Sequence, residues 1–163
     1  MMISNRLKMF SFWCDSGEAV EEAGASNFFA IFPDKTIVTP SLNPGTILPG
    51  VTRESILELA AAECGLTPVE RKLNLEELRN ADEAFCCGTG ACISPVGHIS
   101  ISDARENSES TADIVFGDGS TAGPITEKLF RMLTGIQTGS DAKLATKYQH
   151  WLHIVAPAAT VPS

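Results

Sequence analysis

Short runs of aromatic and β-branched residues, separated by polar turn-forming residues, recur along the chain and predict β-strands. Glycine, proline and aspartate mark the turns at residues 15–17, 33–34 and 88–90. The strands predicted in this way cover residues 9–14, 27–32, 36–39, 84–87 and 92–94, with a closing strand at 150–155.

Apolar residues at helical spacing predict two longer helices. The first begins near Thr52 and ends at the cap residue Gly65, and the second begins at Pro124 and ends at Gly139. Their apolar positions are Ile56, Leu59, Ala60 and Cys64 in the first helix, and Ile125, Leu129, Met132, Leu133 and Ile136 in the second. Asn74 with Glu77 forms a capping-box pattern that predicts a short third helix, through about residue 80.

The order of these elements predicts the fold class. Short strands mixed with separated helices are typical of an α/β fold with mixed α+β layers. Residues 105–111 are polar without an apolar period and predict a surface loop.

Composition and charge narrow the class of protein. The 163 residues are 44% hydrophobic and 20% charged, which is typical of a soluble globular domain. The net charge of −8 and the 7% aromatic content disfavour a nucleic-acid partner or an anionic membrane surface. No run of about 18 apolar residues predicts a transmembrane helix. Residues 1–10 do not resemble a signal peptide. The sequence does not determine the compartment: the cytoplasm is the default, and a mitochondrial or plastid location stays open for a full-length form.

The cysteines favour no redox or metal chemistry. They lack a CxxC spacing, and the three histidines lie at no metal-ligand spacing from them. We therefore expect reduced, partly buried thiols and no metal site. The five cysteines are Cys14, Cys64, Cys86, Cys87 and Cys92.

Three segments carry chemistry, although each also has a plain structural interpretation. In residues 45–53 a Pro-Gly turn leads into a helix start, a place that binds phosphate, but taken alone the segment favours Thr52 as a simple helix cap. The turn around Thr89 brings N–H groups and a hydroxyl to one tip, which suits an oxyanion as well as an ordinary hairpin. Glu21 and Glu22 precede small residues and Asn27, yet adjacent acids are usually only solvated.

Together and in this order, the segments resemble the C-terminal half of the branched-chain aminotransferase family, which are pyridoxal-phosphate enzymes of fold type IV. The resemblance rests on residues 22–27, 45–53 and 85–96, on the helix after Gly123, and on the segment around Trp151. It implies a cofactor-binding C-terminal domain at 10–155, after a non-matching start at 1–9 and before a tail at 156–163.

The resemblance implies a role for each matching residue. Glu22 matches the glutamate that faces the pyridine nitrogen of the cofactor, which is pyridoxal 5′-phosphate. Val51 and Thr52 match the residues whose N–H groups bind its phosphate, and Thr89 matches a phosphate-side hydroxyl.

The substrate side of the site is implied in the same way. The backbone of Thr89 and Gly90 matches the turn that receives the substrate carboxylate, and Asn27 matches a residue near the site. The family exchanges an amino group between leucine, isoleucine or valine and 2-oxoglutarate, and its members form homodimers. The resemblance implies these partners, and neither nucleic acid nor membrane.

The sequence departs from the family pattern at its reactive lysine. Family members bind the cofactor through a Schiff-base lysine upstream of the glutamate segment, within a motif that is not found here. The lysines are Lys8, Lys35, Lys72, Lys128, Lys143 and Lys147. Only Lys8 precedes Glu22, and its neighbours do not match, so no catalytic residue is assigned and this chain alone is not expected to catalyse transamination.

Two smaller departures lie at and beside the Thr89 turn. Gly90 stands where relatives often have alanine, which adds backbone freedom. Ala91 and Ser94 occupy the positions of a CxxC found in some relatives, so no redox switch is expected.

Two alternatives stay open. One is another class IV enzyme, such as a D-amino acid aminotransferase or an aminodeoxychorismate lyase. The other is a non-catalytic paralogue that acts as a binding or interaction subunit. Because a whole relative buries its site between two domains, we also expect apolar surface to be exposed near Phe28 and Ile47, with association as the consequence.

Overall fold

The computed structural model describes residues 13–15, 19–43, 45–101 and 112–153. These residues form a mixed β-sheet with helices packed on it and a separate two-stranded sheet. The strands are β1 (Trp13–Asp15), β2 (Ala19–Ala23), β3 (Ser26–Ile31), β4 (Thr36–Thr39), β5 (Thr67–Glu70), β6 (Leu73–Asn74), β7 (Glu83–Gly88), β8 (Cys92–Val96), β9 (His98–Ile101) and β10 (Ala112–Val115). The helices are α1 (Val51–Cys64), α2 (Leu75–Leu78), α3 (Pro124–Thr138) and α4 (Ala142–Lys147), followed by a 3-10 turn at Gln149–Trp151. This mixed α/β architecture confirms the predicted fold class.

Strand β3 lies at the centre of the sheet because it pairs with three other strands. Its antiparallel partner along most of its length is β7, while β2 pairs with its first residues and β4 with its last. Asn27 therefore lies opposite both Glu22 of β2 and Cys87 of β7. Strands β9 and β10 form a separate antiparallel pair.

Both faces of β3 are buried, so the sheet separates two hydrophobic clusters. Phe28 and Ala30 pack in one cluster, and Phe29 and Ile31 in the other, as the two-residue period of a strand requires. Helices α1 and α3 cover the second face, where the rings of Phe29 and Phe85 stack with centroids 5.0 Å apart. The first face is covered by residues of α2, β9 and β10.

The two longer helices confirm the predicted boundaries. Helix α1 ends at Gly65 and α3 at Gly139, and both glycines adopt the left-handed conformation with φ of 65° and 69°. Asn74 is the N-cap residue of α2 as predicted, but its side chain makes no capping hydrogen bond. The Glu77 carboxylate pairs with Arg71 instead. None of the helices in the described ranges is long and apolar enough to cross a membrane.

Several short elements were not predicted from the sequence, namely β2, β5, β6, β9, β10 and α4. The predicted closing strand is wrong at residues 150–151, which lie in the 3-10 turn where Trp151 packs on Tyr148 with ring centroids 4.5 Å apart. Residues 152–153 lie in no strand either, and residues 154–155 lie outside the described residues, as do the predicted loop at 105–111 and residues 9–12 of the first strand.

The prediction of exposed apolar surface near Phe28 and Ile47 is wrong at Phe28 but is confirmed beside Ile47, although Ile47 itself is buried. Phe28 is fully buried in the central strand, and Ile47 is 7% exposed. The exposed apolar side chains of the same region are Leu48, at 66%, and Val51, at 80%. The apolar patch therefore lies on the turn that enters α1 and not on the sheet.

Candidate functional site

Three segments that are distant in sequence meet around Asn27. Backbone pairing brings Glu22 of β2 to one side of Asn27 and Cys87 of β7 to the other. The Asn27 Nδ2 atom donates a hydrogen bond to the Leu48 carbonyl oxygen at 2.9 Å, which attaches the turn before α1 to the same strand. The structure thus brings together the predicted glutamate, phosphate and hairpin segments at one end of β3 and β7.

The first turn of α1 is open to an anion. Its N-cap residue is Gly50, in an extended conformation with φ −70° and ψ 135°, and glycine has no side chain that can accept from the N–H groups. The N–H groups of Val51 and Thr52 lie in this turn, where no intrahelical acceptor exists and the helix dipole is positive. Thr52 lies inside the helix and not at the cap position, so the simple-cap interpretation of this residue is wrong.

Helix α3 provides a contrast within the same chain, because a carboxylate of the protein occupies its N-terminus. The Glu83 Oε1 atom accepts from the Ile125 N–H at 3.0 Å. The Oε2 atom accepts from the Thr126 N–H at 2.8 Å and from its hydroxyl at 2.7 Å. Glu83 is 6% exposed, so a buried carboxylate of the protein already binds the first N–H groups of α3, and none of them is left to bind a ligand there.

The turn between β7 and β8 presents Thr89 and Gly90 to solvent. Gly88 pairs with Cys92 and belongs to β7, so the turn proper covers residues 89–91. The left-handed conformation falls on Cys92, with φ 59°, and not on Gly90. An alanine Cβ at position 90 would meet no described atom within 4 Å, so the turn would accept the alanine common in relatives.

Glu22 is placed by its backbone, opposite Asn27 in the β2–β3 pair. Its neighbour Glu21 is not simply a solvated acid, because the Glu21 Oε1 atom accepts from the Thr46 hydroxyl at 3.0 Å. That bond joins β2 to the segment before α1. Glu22 is thus held at the candidate site by strand pairing, and Glu21 by its hydrogen bond to Thr46.

Arg53 is a structural residue of this site that sequence reasoning missed. It is 4% exposed, and its Nη2 atom donates to the Pro40 carbonyl at 3.0 Å and to Glu70 Oε2 at 2.6 Å. These bonds tie α1 to the ends of β4 and β5. Its Nε atom is buried and has no hydrogen-bond partner among the described residues. The available signal was a cation in the first turn of a helix, where the dipole disfavours positive charge.

The thiols near the site are poorly suited to nucleophilic chemistry. Burial raises the pKa of Cys87 to about 12, although the nearby Arg53 guanidinium opposes this shift. Burial also raises the pKa of Cys86. Four cysteines have described side chains, namely Cys64, Cys86, Cys87 and Cys92; these are free thiols, and two of them are buried. No group of three or more histidine, cysteine or acidic side chains in the described ranges is arranged to hold a metal ion.

A cleft of about 630 Å³ lies at the opposite end of β3 and β7. Ile31, Lys35, Glu83, Phe116 and Pro124 are among its lining residues. None of the residues that the sequence predicted for the site lines it, and the Glu83 carboxylate among its lining residues is already bound to α3. The cleft therefore does not compete with the site around Asn27.

Comparison with known proteins identifies the class to which this arrangement belongs. The sequence profile of the family described as amino-transferase class IV matches residues 9–99. The chain therefore belongs to the class IV aminotransferase family.

Branched-chain aminotransferases are among its relatives in that family. Branched-chain-amino-acid aminotransferase 1, mitochondrial, of Arabidopsis thaliana is 41% identical over 126 residues, which are 77% of this chain and 29% of that protein. The branched-chain-amino-acid aminotransferase of Haemophilus influenzae is 38% identical over 120 residues, 74% of this chain and 32% of that protein. The chain spans about a third of the length of these relatives.

A solved structure agrees with the sequence comparison. The branched-chain amino acid aminotransferase from Thermobaculum terrenum, in its PLP-form, superposes with a TM-score of 0.63 at 28% identity. The match covers 85% of this chain and 38% of that one. The described fold is thus that of part of a branched-chain aminotransferase.

Proposed function

We propose that this chain is the part of a branched-chain aminotransferase that holds the phosphate and the ring nitrogen of pyridoxal phosphate, with residues 10–155 as the cofactor-binding domain. The observation that carries the proposal is the convergence on Asn27 of β2, β7 and the open first turn of α1. In the whole protein, the reaction proposed is amino transfer between leucine, isoleucine or valine and 2-oxoglutarate.

Each residue has a proposed task in holding the cofactor. The N–H groups of Val51 and Thr52 bind the phosphate, because α1 offers them no internal acceptor. The Thr89 hydroxyl joins them from the exposed turn, and the backbone of Thr89 and Gly90 receives the substrate carboxylate. The Glu22 carboxylate keeps the ring nitrogen protonated.

The cofactor supplies an electron sink when it is bound. The internally capped α3 supports the proposal by contrast. Both helices have glycine at the N-cap position, but the Glu83 carboxylate binds the first turn of α3, whereas no described side chain binds that of α1. An anion from outside the chain fits the first turn of α1 and not that of α3.

Replacement of Val51 by proline tests the phosphate site. Proline is tolerated at the first position of a helix and removes the N–H group, and the extended Gly50 suits a following proline. We expect the dissociation constant for pyridoxal phosphate, measured by absorbance titration, to rise about tenfold, with an unchanged melting temperature.

Val51→Ala is the matched control, because it keeps the N–H and removes only a side chain that is 80% exposed. The alanine variant should bind pyridoxal phosphate like the unmodified chain. Equal binding by the proline variant, or equal loss in both variants, would contradict the assignment of this N–H to the phosphate.

The lysines lead to a second prediction, that this chain alone forms no specific covalent adduct with the cofactor. Lys128 and Lys147 both contact Glu63, at the end of α1 opposite to the open first turn. Lys35 follows the far end of β3. Borohydride treatment of the chain with pyridoxal phosphate should therefore leave no stoichiometric label on one lysine in peptide mass spectrometry.

A full-length relative treated in parallel is the positive control for this trapping experiment. Its Schiff-base lysine should be labelled under conditions that leave the present chain unlabelled. A single labelled lysine in this chain, together with transaminase turnover, would contradict the prediction.

A second candidate function, an interaction subunit that associates with a full-length aminotransferase, is favoured by the exposed patch of Leu48 and Val51. Large exposed apolar side chains beside a site often mark a protein contact. Co-purification with a full-length relative that is lost in the Leu48→Asp variant would support it, and two separate, unassociated species in light scattering of the mixture would count against it.

A further inference from the structure

The side chain of Asn27 contacts both ends of the turn that leads into α1. It is 6% exposed, and its Nδ2 atom donates to the carbonyl of Leu48 across 21 residues of sequence. On the other side, a Cβ atom added to Gly50 would lie only 2.4 Å from the Asn27 Oδ1 atom. The Nδ2 end of the amide is thus hydrogen-bonded to the turn, and the Oδ1 end occupies the space beside Gly50.

This contact explains the glycine at position 50. Gly50 has φ −70° and ψ 135°, an extended conformation that any residue adopts, so its backbone does not require glycine. What excludes a side chain is the Asn27 amide, since real Cβ atoms do not approach other atoms within 3.0 Å. Asn27 and Gly50 thus form a matched pair: the Asn27 amide occupies the space that a side chain at position 50 would need.

Asn27 is well placed to fix a position, because its own backbone is held on both sides. It pairs with Glu22 of β2 and Cys87 of β7 within the central strand of the sheet. A turn bound to this residue takes up a fixed position relative to both strands. The first N–H groups of α1 follow directly after that turn, at Val51 and Thr52.

We propose that Asn27 is a positioning residue that locks the Leu48–Gly50 turn and so sets where the first turn of α1 presents its N–H groups. The proposal deepens the proposed function, on which its cofactor arm rests. Asn27 acts through the backbone of residues 48–50 and need not touch the cofactor. A group held in this way costs little ordering free energy when a ligand arrives.

The cofactor arm compares two ligands that differ only in the phosphate. In the Asn27→Ala variant, the dissociation constant for pyridoxal phosphate should rise about tenfold, whereas that for pyridoxal should change less than about twofold. Asn80→Ala, which removes an exposed asparagine, is the matched control and should change neither. A parallel loss for both ligands, or no loss for either, would overturn the positioning role.

The second arm needs no cofactor and stands if the proposed function fails. Gly50→Ala should lower the urea midpoint of unfolding, because the new methyl group meets the Asn27 amide. In the Asn27→Ala background the same substitution should cost little, which is the sign of a coupled pair. Additive effects of the two substitutions would overturn the matched-pair geometry.

Hydrogen exchange locates the effect within the molecule. In Asn27→Ser, a variant that retains a small polar side chain, the Glu54 amide, which donates to the Gly50 carbonyl in the first turn of α1, should exchange about tenfold faster, while the amides of α3 stay unchanged. Uniform acceleration across the chain would show a general loss of stability and would overturn the local role. If the unmodified chain binds no pyridoxal phosphate, the proposed function fails, and this measurement with the paired substitutions still decides the role of Asn27.

Discussion

Replacement of Arg53 by alanine is expected to lower the free energy of unfolding by about 3 kcal/mol, because the substitution removes two hydrogen bonds that its buried guanidinium donates. Arg53 donates to the Pro40 carbonyl at 3.0 Å and to Glu70 Oε2 at 2.6 Å. The bond to Pro40 joins the start of the loop before α1 to the helix itself, so its loss frees that loop. Urea denaturation of the purified chain measures the change.

The two partners of Arg53 do not suffer equally when it is removed. The Glu70 side chain is 46% exposed and can be hydrated, whereas Pro40 is buried and its carbonyl oxygen is left without a donor. We therefore expect Arg53→Met, which keeps most of the buried volume, to cost about 2 kcal/mol. A neutral or stabilising methionine variant would show that packing and not hydrogen bonding is what Arg53 contributes.

Arg131→Ala is the matched control for the arginine series. Arg131 is 74% exposed and pairs with Glu127 one turn earlier in α3, an arrangement worth less than about 0.5 kcal/mol. Similar losses for Arg53→Ala and Arg131→Ala would contradict the special position of Arg53.

The parts of the fold that sequence reasoning predicted are those specified locally. Helices α1 and α3 carry their apolar stripes and terminal glycines within one segment, and the structure confirms the ends at Gly65 and Gly139. Strands β3, β4, β7 and β8 are apolar runs between turn residues. Local patterns were sufficient because each of these elements packs against the core along its length.

The elements that were missed are specified by distant partners. Strand β2 carries Glu21 and Glu22 and has no apolar alternation, yet it pairs with β1, β3 and β6. Strand β6 has only two residues. For residues 150–151, aromatic contacts with Tyr148 replace the strand that the composition favoured. Tertiary pairing determined these segments, and no short window of sequence contains it.

The sequence predicted the motifs of the site, but it did not predict the buried contacts that hold those motifs in place. The resemblance indicated Glu22, Val51, Thr52 and Thr89, and the structure brings together the segments that carry them; their individual roles stay predictions. Buried contacts of Asn27 and Arg53 hold these segments in place, and such contacts span 13 to 21 residues of sequence. A motif names the residues at a site, whereas the packing beneath it depends on the rest of the fold.

Loss of the Glu83 carboxylate is the second change with a large expected effect. Glu83→Ala should lower the free energy of unfolding by about 3 kcal/mol, because the first turn of α3 loses its acceptor and the buried Thr126 N–H is left unsatisfied. Glu83→Gln keeps the shape but turns one acceptor into a donor, and should cost about 2 kcal/mol. Glu76→Gln, at a side chain that is 87% exposed, is the control and should change little.

Gly123 gives this prediction an independent check. A Cβ atom at Gly123 would lie 2.1 Å from the Glu83 Cδ atom, although φ of −65° and ψ of 157° suit any residue. Gly123→Ala should therefore destabilise the chain strongly when Glu83 is present and only weakly in the Glu83→Ala background, a coupling of at least about 1 kcal/mol. Independent costs would contradict the geometry of this cap. Because Glu83 lies at the far end of β7 from the first turn of α1, neither substitution should alter the ratio of affinities for pyridoxal phosphate and pyridoxal.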